Sequence, residues 1–197
     1  MLDIPQFRNN IVRPVLRAIR GEGRAAENLV LGTALQESNL RYLRQLGDGP
    51  ARGLYQMEPA THDDIWDNYL RYRAELRDAV SEFEVPRQDR HDKLVWNLGY
   101  ATAMWRVHYR RVLEPLPGAD DLRGLATYWK QHYNTPLGRG TVDEFFEKFV
   151  RYVIGRTSDP DASPRDPERT ISILTRCSDA GRGFELDVVG GNGGGGD

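Results

Sequence analysis

Apolar side chains recur every three or four residues through most of this 197-residue chain, and this spacing constrains its fold more than any other feature. It places the apolar side chains on one face of an α-helix. Six segments show the pattern, over residues 11–19, 29–35, 61–80, 94–112, 122–133 and 141–153. The sequence therefore predicts an all-α fold whose core forms where these helical faces meet.

Local signals set the ends of several predicted helices. The "GEG" run at 21–23 ends the first helix, because glycine is a poor helix former. Thr61 is predicted to cap the third helix, and Pro86 to break its pattern. Thr141 and Glu144 have the spacing of a capping box, which predicts the start of the sixth helix.

The composition of the chain changes after Gly155. The segment "RTSDPDASPRDPE" is rich in proline and aspartate, and the chain closes on "GGNGGGGD". Such segments lack the apolar side chains needed to offset the entropy of folding. We predict a folded domain over residues 1–155 and a flexible or partner-binding arm over 156–197, with "TISILTRC" as one short strand within the arm.

Charge and cysteine content narrow the classes of partner. The formal net charge of −2 argues against nucleic-acid binding through bulk charge, and the single cysteine, Cys177, excludes an intramolecular disulfide. No apolar run reaches the length of a membrane span. The N-terminal "MLDIPQFRNN" lacks the basic start and apolar run of a secretory signal, so we expect none.

One acidic residue, Glu37, ends the apolar run that precedes "SNL". Burial disfavours the ionised form of a carboxyl group and raises its pKa, which allows it to act as a general acid near neutral pH. The alternative interpretation is a glutamate that faces solvent at the end of a helix.

Two further segments combine turn residues with polar side chains. The segment "ARGLYQMEPAT", 51–61, contains Gln56, whose amide both donates and accepts hydrogen bonds. The segment "QHYNTPLGRG", 131–140, places Tyr133 and Asn134 at the end of an apolar helix. Taken singly, each segment has the residues of an ordinary turn.

In this order, the three segments resemble the signatures of the soluble lytic transglycosylase (SLT) family, a lysozyme-like fold related to goose-type lysozymes. Glu37-Ser38 matches the first signature, "GLYQM" with "PAT" at 53–61 the second, and Tyr133-Asn134 the third. The segment "NLGYATAMWRVHYRRV", 97–112, is similar to the helix between the last two. The resemblance covers about residues 10–155.

The resemblance implies a site and an activity. Glu37 would be the sole catalytic acid and base, with the hydroxyl of Tyr133 in contact with its carboxyl group and Ser38 orienting the substrate or the glutamate. Substrate-binding roles fall on five residues: Ser38, Gln56, Met57, Tyr133 and Asn134. The implied reaction breaks the β-1,4 bond between N-acetylmuramic acid and N-acetylglucosamine in peptidoglycan without a cofactor. Transglycosylase and muramidase outcomes both remain open.

The chain departs from the family pattern at two places. Thr135-Pro136 follows Tyr133-Asn134 where the family has a small residue and glycine, and Tyr55 stands where the second signature has methionine. Because proline fixes φ and removes a donor, the loop after Asn134 is expected to differ in shape.

Other residues could add chemistry to the site. Asp48, Glu58, Asp63 and Asp64 lie near the second signature in sequence, and one of them could activate water opposite Glu37. Helix capping and solvation are the alternative for the last two. The four histidines show no metal-ligand spacing and no cysteine pair exists, so we expect no metal site.

Two hypotheses of function follow. In the first, the chain is an enzyme that travels in a phage particle and opens the cell wall locally in the bacterial periplasm during genome delivery. In the second, it is a catalytically weak or inactive lysozyme-like subunit of a phage tail or injection machine. Residues 156–197 would then bind other virion or tail proteins. A helical scaffold that binds DNA ranks last, because no basic face is evident.

Overall fold

The computed structural model describes residues 1–85, 89–134 and 138–154 of the chain, and these residues are mainly helical. They form no strand, only two isolated bridges, Arg44 with Arg52 and Arg52 with Met57. The α-helices are α1 (Ile4–Phe7), α2 (Arg13–Ala18), α3 (Arg24–Ser38), α4 (Pro59–Asn68), α5 (Ala74–Ser81), α6 (Lys93–Trp96), α7 (Leu98–Arg110), α8 (Leu122–Trp129) and α9 (Val142–Phe149). The predicted all-α fold is confirmed for the described residues.

Short helical segments of other types extend several of these helices. The π-helical segments Arg8–Val12, Lys130–Asn134 and Val150–Ile154 join α1 to α2 and continue α8 and α9. A 3₁₀ turn, Leu70–Tyr72, lies between α4 and α5. None of the helices among the described residues is long and apolar enough to cross a membrane.

Helix α3 lies at the centre of the domain. Its residues 29–35 are all buried, and it contacts α7, α8 and α9. A helix that is apolar on every side must be enclosed by its neighbours. Two hydroxyls within it are satisfied by its own backbone, because Thr33 donates to the Leu29 carbonyl and Ser38 to the Ala34 carbonyl, each at 2.9 Å.

Close packing of α9 on α3 depends on Gly32. A β-carbon at this position would lie 2.2 Å from the Cζ atom of Phe145, which is well inside van der Waals contact. The ring of Phe145 is itself buried and stacks on Trp129 with 5.2 Å between ring centroids. The missing side chain of Gly32 therefore makes room for the aromatic pair that connects α8, α9 and α3.

The predicted helix over 61–80 is wrong in its start and its continuity. Helix α4 begins at Pro59, before Thr61, because proline fits the first turn of a helix, where its missing N–H is not needed. The chain leaves α4 after Asn68 and starts α5 at Ala74. Tyr72, which the helical pattern over 61–80 would place on the apolar face, is 70% exposed.

The predicted helix over 94–112 is divided at Asn97. The side chain of Asn97 accepts a hydrogen bond from the backbone N–H of Tyr100 at 2.9 Å and so caps α7. Its amide also donates to the carbonyl of Phe83 at 2.7 Å. An asparagine that satisfies two backbone groups in this way favours a cap over a helix interior.

The predicted start of the sixth helix is confirmed. Thr141 caps α9 by accepting from the N–H of Glu144 at 3.1 Å, and the carboxylate of Glu144 accepts from the N–H of Thr141 at 2.9 Å. The arm over 156–197, the short strand within it and the Thr135-Pro136 departure lie outside the described residues. The division into a domain and an arm stays a prediction.

The contact between Gly32 and Phe145 gives a prediction about stability. We expect Gly32→Ala to lower the free energy of unfolding by about 2 kcal/mol, because the added methyl group overpacks a core that cannot move aside. Urea denaturation of the full chain would measure the loss. Gly118→Ala is the matched control, since a β-carbon there meets no atom within 4 Å. Equal effects of the two substitutions would contradict the packing argument.

Candidate active site

Five of the six residues singled out by the sequence line one cleft of about 620 Å³. The cleft lies between the end of α3, the loop 39–58, the start of α4, and the π-helical segment Lys130–Asn134. The five residues are Glu37, Gln56, Met57, Tyr133 and Asn134. Segments separated by almost 100 residues in sequence therefore meet at one cavity.

Glu37 reaches the cleft from the last turn of α3, where Asn39 ends the helix in the left-handed region at φ 51°. Its carboxyl group is half-buried, and Oε1 accepts a hydrogen bond from the indole N–H of Trp129 at 3.0 Å. Burial raises the pKa of Glu37 to about 7, although Trp129 and the nearby Lys148 both favour the ionised form. Glu37 can therefore both give and accept a proton near neutral pH.

Trp129 is a further residue of the site, and the apolar pattern over residues 122–133 predicts it only as part of the helical core. It is fully buried, and its stacking on Phe145 holds the indole plane so that the N–H points to Glu37. No local signal could have identified Trp129 as a site residue, because its partner Glu37 lies 92 residues away in the sequence.

The contact predicted between Tyr133 and Glu37 is wrong. The hydroxyl of Tyr133 donates to the backbone carbonyl of Tyr55 at 2.6 Å. Its ring stacks on Tyr109 with 5.9 Å between centroids and lies edge-on to His108. Tyr133 thus fastens the π-helical segment to the turn at 53–57, while Trp129 supplies the hydrogen bond to Glu37.

The turn that carries Gln56 is formed by close backbone packing at Gly53. A β-carbon on Gly53 would lie 2.1 Å from the carbonyl oxygen of Leu94, and its φ of +74° also favours glycine. Gln56 adopts φ +50°, and its side-chain amide donates to the Gly53 carbonyl at 2.8 Å. Its amide oxygen and the second N–H of its amide nitrogen remain for hydrogen bonds in the cleft.

Met57 and Tyr55 lie on either side of Gln56 in the same turn. Met57 is buried at the cleft wall, and its backbone exchanges two hydrogen bonds with Arg52. Tyr55 is buried in the core, and its hydroxyl lies 2.8 Å from Thr102 Oγ1. Because Thr102 donates its proton to Leu98, Tyr55 is the donor. Tyr55 therefore belongs to the core.

Ser38 and Asn134 have different surroundings from each other. Ser38 is fully buried and donates to Ala34, so its predicted role in orienting substrate is not supported by its position. Adjacent residues of a helix point about 100° apart, and Glu37 is the one that faces the cleft. Asn134 lines the cleft, and its Oδ1 accepts from Lys130 Nζ at 2.7 Å.

One of the four additional carboxylates considered from the sequence, Glu58, lines the cleft. Asp63 accepts hydrogen bonds from His62 and His91, and Asp64 pairs with Arg111 and Asn68. These contacts, rather than helix capping, engage the two aspartates. Glu58 is exposed, whereas Glu37 is half-buried.

His108 is a cleft residue that sequence reasoning did not select. Its Nε2 lies 2.9 Å from the carbonyl oxygen of His132, which can only accept, so Nε2 carries the proton. Nδ1 is then an acceptor, and it has no hydrogen-bond partner among the described residues. Burial lowers the pKa of His108, which keeps the ring neutral at pH 7.

Comparison of the chain with protein-family models, with curated proteins and with solved structures found no match. The case for a function therefore depends on the chemistry of the cleft.

The raised pKa of Glu37 predicts a pH-dependent cost in stability. The folded-state pKa of Glu37, about 7, exceeds the ordinary value of 4.5. The free energy of unfolding therefore falls by up to about 3 kcal/mol as the pH rises from 4.5 through 7. Glu37→Gln cannot ionise, so we expect it to be more stable than the wild type at pH 8. At pH 4 the two proteins should be equally stable. Urea denaturation at both pH values measures the difference.

Glu58→Gln is the control for this experiment, since it removes an exposed carboxylate from the same cleft. We expect its stability to follow that of the wild type at both pH values. A Glu37→Gln protein that gains no stability at pH 8 would show that the carboxyl group is ionised without cost in the folded state.

Proposed function

We propose that this chain cleaves the glycan strand of peptidoglycan as a single-glutamate lytic transglycosylase or muramidase with a lysozyme-like fold. The observation that carries the proposal is Glu37, a half-buried carboxyl group with a pKa of about 7 at the wall of a large cleft. Glycosidic bond cleavage requires such a group, because the leaving oxygen must be protonated as the bond breaks.

The first step uses the protonated form of Glu37. Its proton passes to the glycosidic oxygen, and the bond between that oxygen and the anomeric carbon breaks. The oxygen of the substrate's own 2-acetamido group attacks the anomeric carbon and forms a cyclic oxazolinium ion, so the protein supplies no nucleophile. The ionised carboxylate of Glu37 remains beside the positive charge, with Trp129 donating to Oε1.

The second step uses the ionised form. Glu37 takes a proton from the 6-hydroxyl of the muramoyl sugar, whose oxygen attacks the anomeric carbon. The bond between that carbon and the acetamido oxygen breaks, which restores the acetamido group and gives a 1,6-anhydro product. If a water molecule loses the proton instead, the product is a reducing sugar. A pKa of about 7 suits both steps, since the same carboxyl group must be protonated in one and ionised in the next.

The polar side chains of the cleft support a sugar substrate. Gln56 and Asn134 present amides, which donate to and accept from sugar hydroxyl and acetamido groups, and Met57 adds an apolar surface. Peptidoglycan strands are the proposed partner, and no metal or cofactor has a role in the steps above.

The place of action that we propose follows from the hypothesis of a cell-wall enzyme carried by a phage. The chain would travel in a phage particle and act in the bacterial periplasm, opening the cell wall locally during genome delivery. Residues 156–197 would bind other virion or tail proteins.

A structural role is the second candidate, and one observation favours it. The tyrosine hydroxyl expected at the catalytic carboxyl group is engaged with the Tyr55 carbonyl. A lysozyme-like subunit of a phage tail or injection machine, with little or no activity, could retain the cleft as a packing feature.

Digestion of purified peptidoglycan separates the two candidates. We expect the wild type to release muropeptides and Glu37→Gln to be at least about 100-fold slower, because the substitution removes the general acid and keeps its shape. Mass spectrometry distinguishes 1,6-anhydro from reducing products. Glu58→Gln, the matched cleft variant, should retain most of the activity. If the folded wild type releases nothing, the enzymatic proposal fails and the structural one stands.

Trp129→Phe tests whether the hydrogen bond from Trp129 lowers the pKa of Glu37. The phenyl ring can keep the stacking on Phe145, but the N–H that stabilises ionised Glu37 is lost. The pKa of Glu37 should rise, and the alkaline limb of the pH–rate profile should move up by about 1 pH unit.

Tyr133→Phe is the paired variant, since it removes a hydroxyl that donates to Tyr55 rather than to Glu37. We expect it to leave the alkaline limb in place. A shift with Tyr133→Phe and none with Trp129→Phe would show that the tyrosine controls Glu37 in the working enzyme.

A further inference from the structure

Three potential metal ligands meet on the side of α4 and lie outside the catalytic arrangement described above. Oδ1 of Asp63 lies 3.1 Å from Nδ1 of His62 and 2.9 Å from Nε2 of His91. The three ligand atoms all lie within 4.8 Å of one another, and the two imidazole rings are edge-on at 5.2 Å. The expectation that the histidines lack a ligand-like grouping is therefore wrong for His62 and His91, which the fold brings together across 29 residues of sequence.

We propose that His62, Asp63 and His91 bind a zinc ion that fastens the loop 89–92 to α4. Two imidazoles and one carboxylate form a donor set that zinc accepts, with a water molecule as the fourth ligand of a tetrahedron. Zinc bonds of about 2.0–2.1 Å place neighbouring ligand atoms about 3.3 Å apart at a tetrahedral angle. The two short distances at Asp63 need only small side-chain adjustments to reach this value.

The surroundings of His62 are those of an oriented metal ligand. Its ring is fully buried, and Nε2 lies 2.7 Å from the hydroxyl of Tyr100. That hydroxyl oxygen also accepts from the indole N–H of Trp66 at 3.0 Å. Metal-binding histidines are commonly held by a polar group at the second ring nitrogen. When Nδ1 binds zinc, the ring proton moves to Nε2, where the Tyr100 oxygen accepts it.

Arg90 is the group that competes with a cation at this position. Its Nη1 lies 3.6 Å from Oδ1 of Asp63, and its guanidinium lies over the ring of Trp66. The side chain is 43% exposed, so it can move into solvent when zinc takes its place beside the carboxylate. Arg90 should therefore weaken zinc binding without preventing it.

The loop that carries His91 also reaches the cleft wall. The carboxylate of Asp89 accepts from the backbone N–H groups of His91 and Asp92, which holds the loop in a tight turn. Asp92 in turn pairs with Arg44 at 2.9 Å, and Arg44 lines the cleft. Zinc at His91 would thus hold one wall of the cleft to α4, whatever reaction the cleft supports.

The test is zinc binding by the full chain in a Cys177→Ser background, which removes the one thiol that could bind zinc elsewhere. Isothermal titration of chelator-treated protein with zinc chloride at pH 7.5 should show one site of micromolar or tighter affinity. Cobalt chloride, titrated in parallel, should give the visible absorption bands of a tetrahedral site. His91→Ala should weaken zinc binding by more than tenfold, and Asp63→Asn should do the same.

His132→Ala is the control, because His132 lies in another part of the fold and should leave zinc affinity unchanged. Circular dichroism of each metal-free variant shows that the fold is intact. Arg90→Ala should bind zinc at least as tightly as the parent chain. The proposal is overturned if the parent chain binds no zinc at micromolar concentrations. It is equally overturned if folded His91→Ala binds zinc as tightly as the parent, or if Arg90→Ala binds it more weakly.

Discussion

The carboxyl group of Glu37 extends from α3, a helix whose residues 29–35 are all buried, and the neighbouring helices hold α3 in place. Helix α3 is enclosed by α7, α8 and α9, and Phe145, which stacks on Trp129, rests on the bare backbone of Gly32. The same indole that fills the core also donates to Glu37. Stability and site geometry thus depend on one aromatic contact, so the carboxyl group has little freedom to move.

Opposing effects set the proton affinity of Glu37. Burial favours the neutral acid, while the Trp129 N–H and the charge of Lys148 favour the anion. Lys148 is held near by a hydrogen bond to the Gln36 carbonyl at 3.3 Å. Burial is the largest effect, so the pKa is raised, and the two favourable contacts keep it near neutrality. The cleft therefore carries a group that destabilises the folded chain when ionised.

Local signals in the sequence could predict that Glu37 lies at the end of a helix and that Gln56 lies in a tight turn, because neighbouring residues determine both features. They could not show that Ser38 faces the interior, since one residue along a helix reverses burial without changing the pattern. The hydrogen bond from Trp129 to Glu37 spans 92 residues, and the grouping of His91 with α4 spans 28. Such contacts depend on how helices cross, which no local spacing encodes.

The length of the π-helical segment Lys130–Asn134 determines which of its side chains face the cleft. A π-helical turn holds one more residue than an α-helical turn, so it is equivalent to a single insertion within a regular helix. Removing one residue from this segment would restore a continuous α-helix and turn Tyr133 and Asn134 by about 100° around its axis. Both side chains would then leave the cleft together, while Trp129, which precedes the segment, would keep its place against Glu37. The length of one helical turn thus separates the part of the cleft wall formed by Tyr133 and Asn134 from Trp129, which donates a hydrogen bond to Glu37.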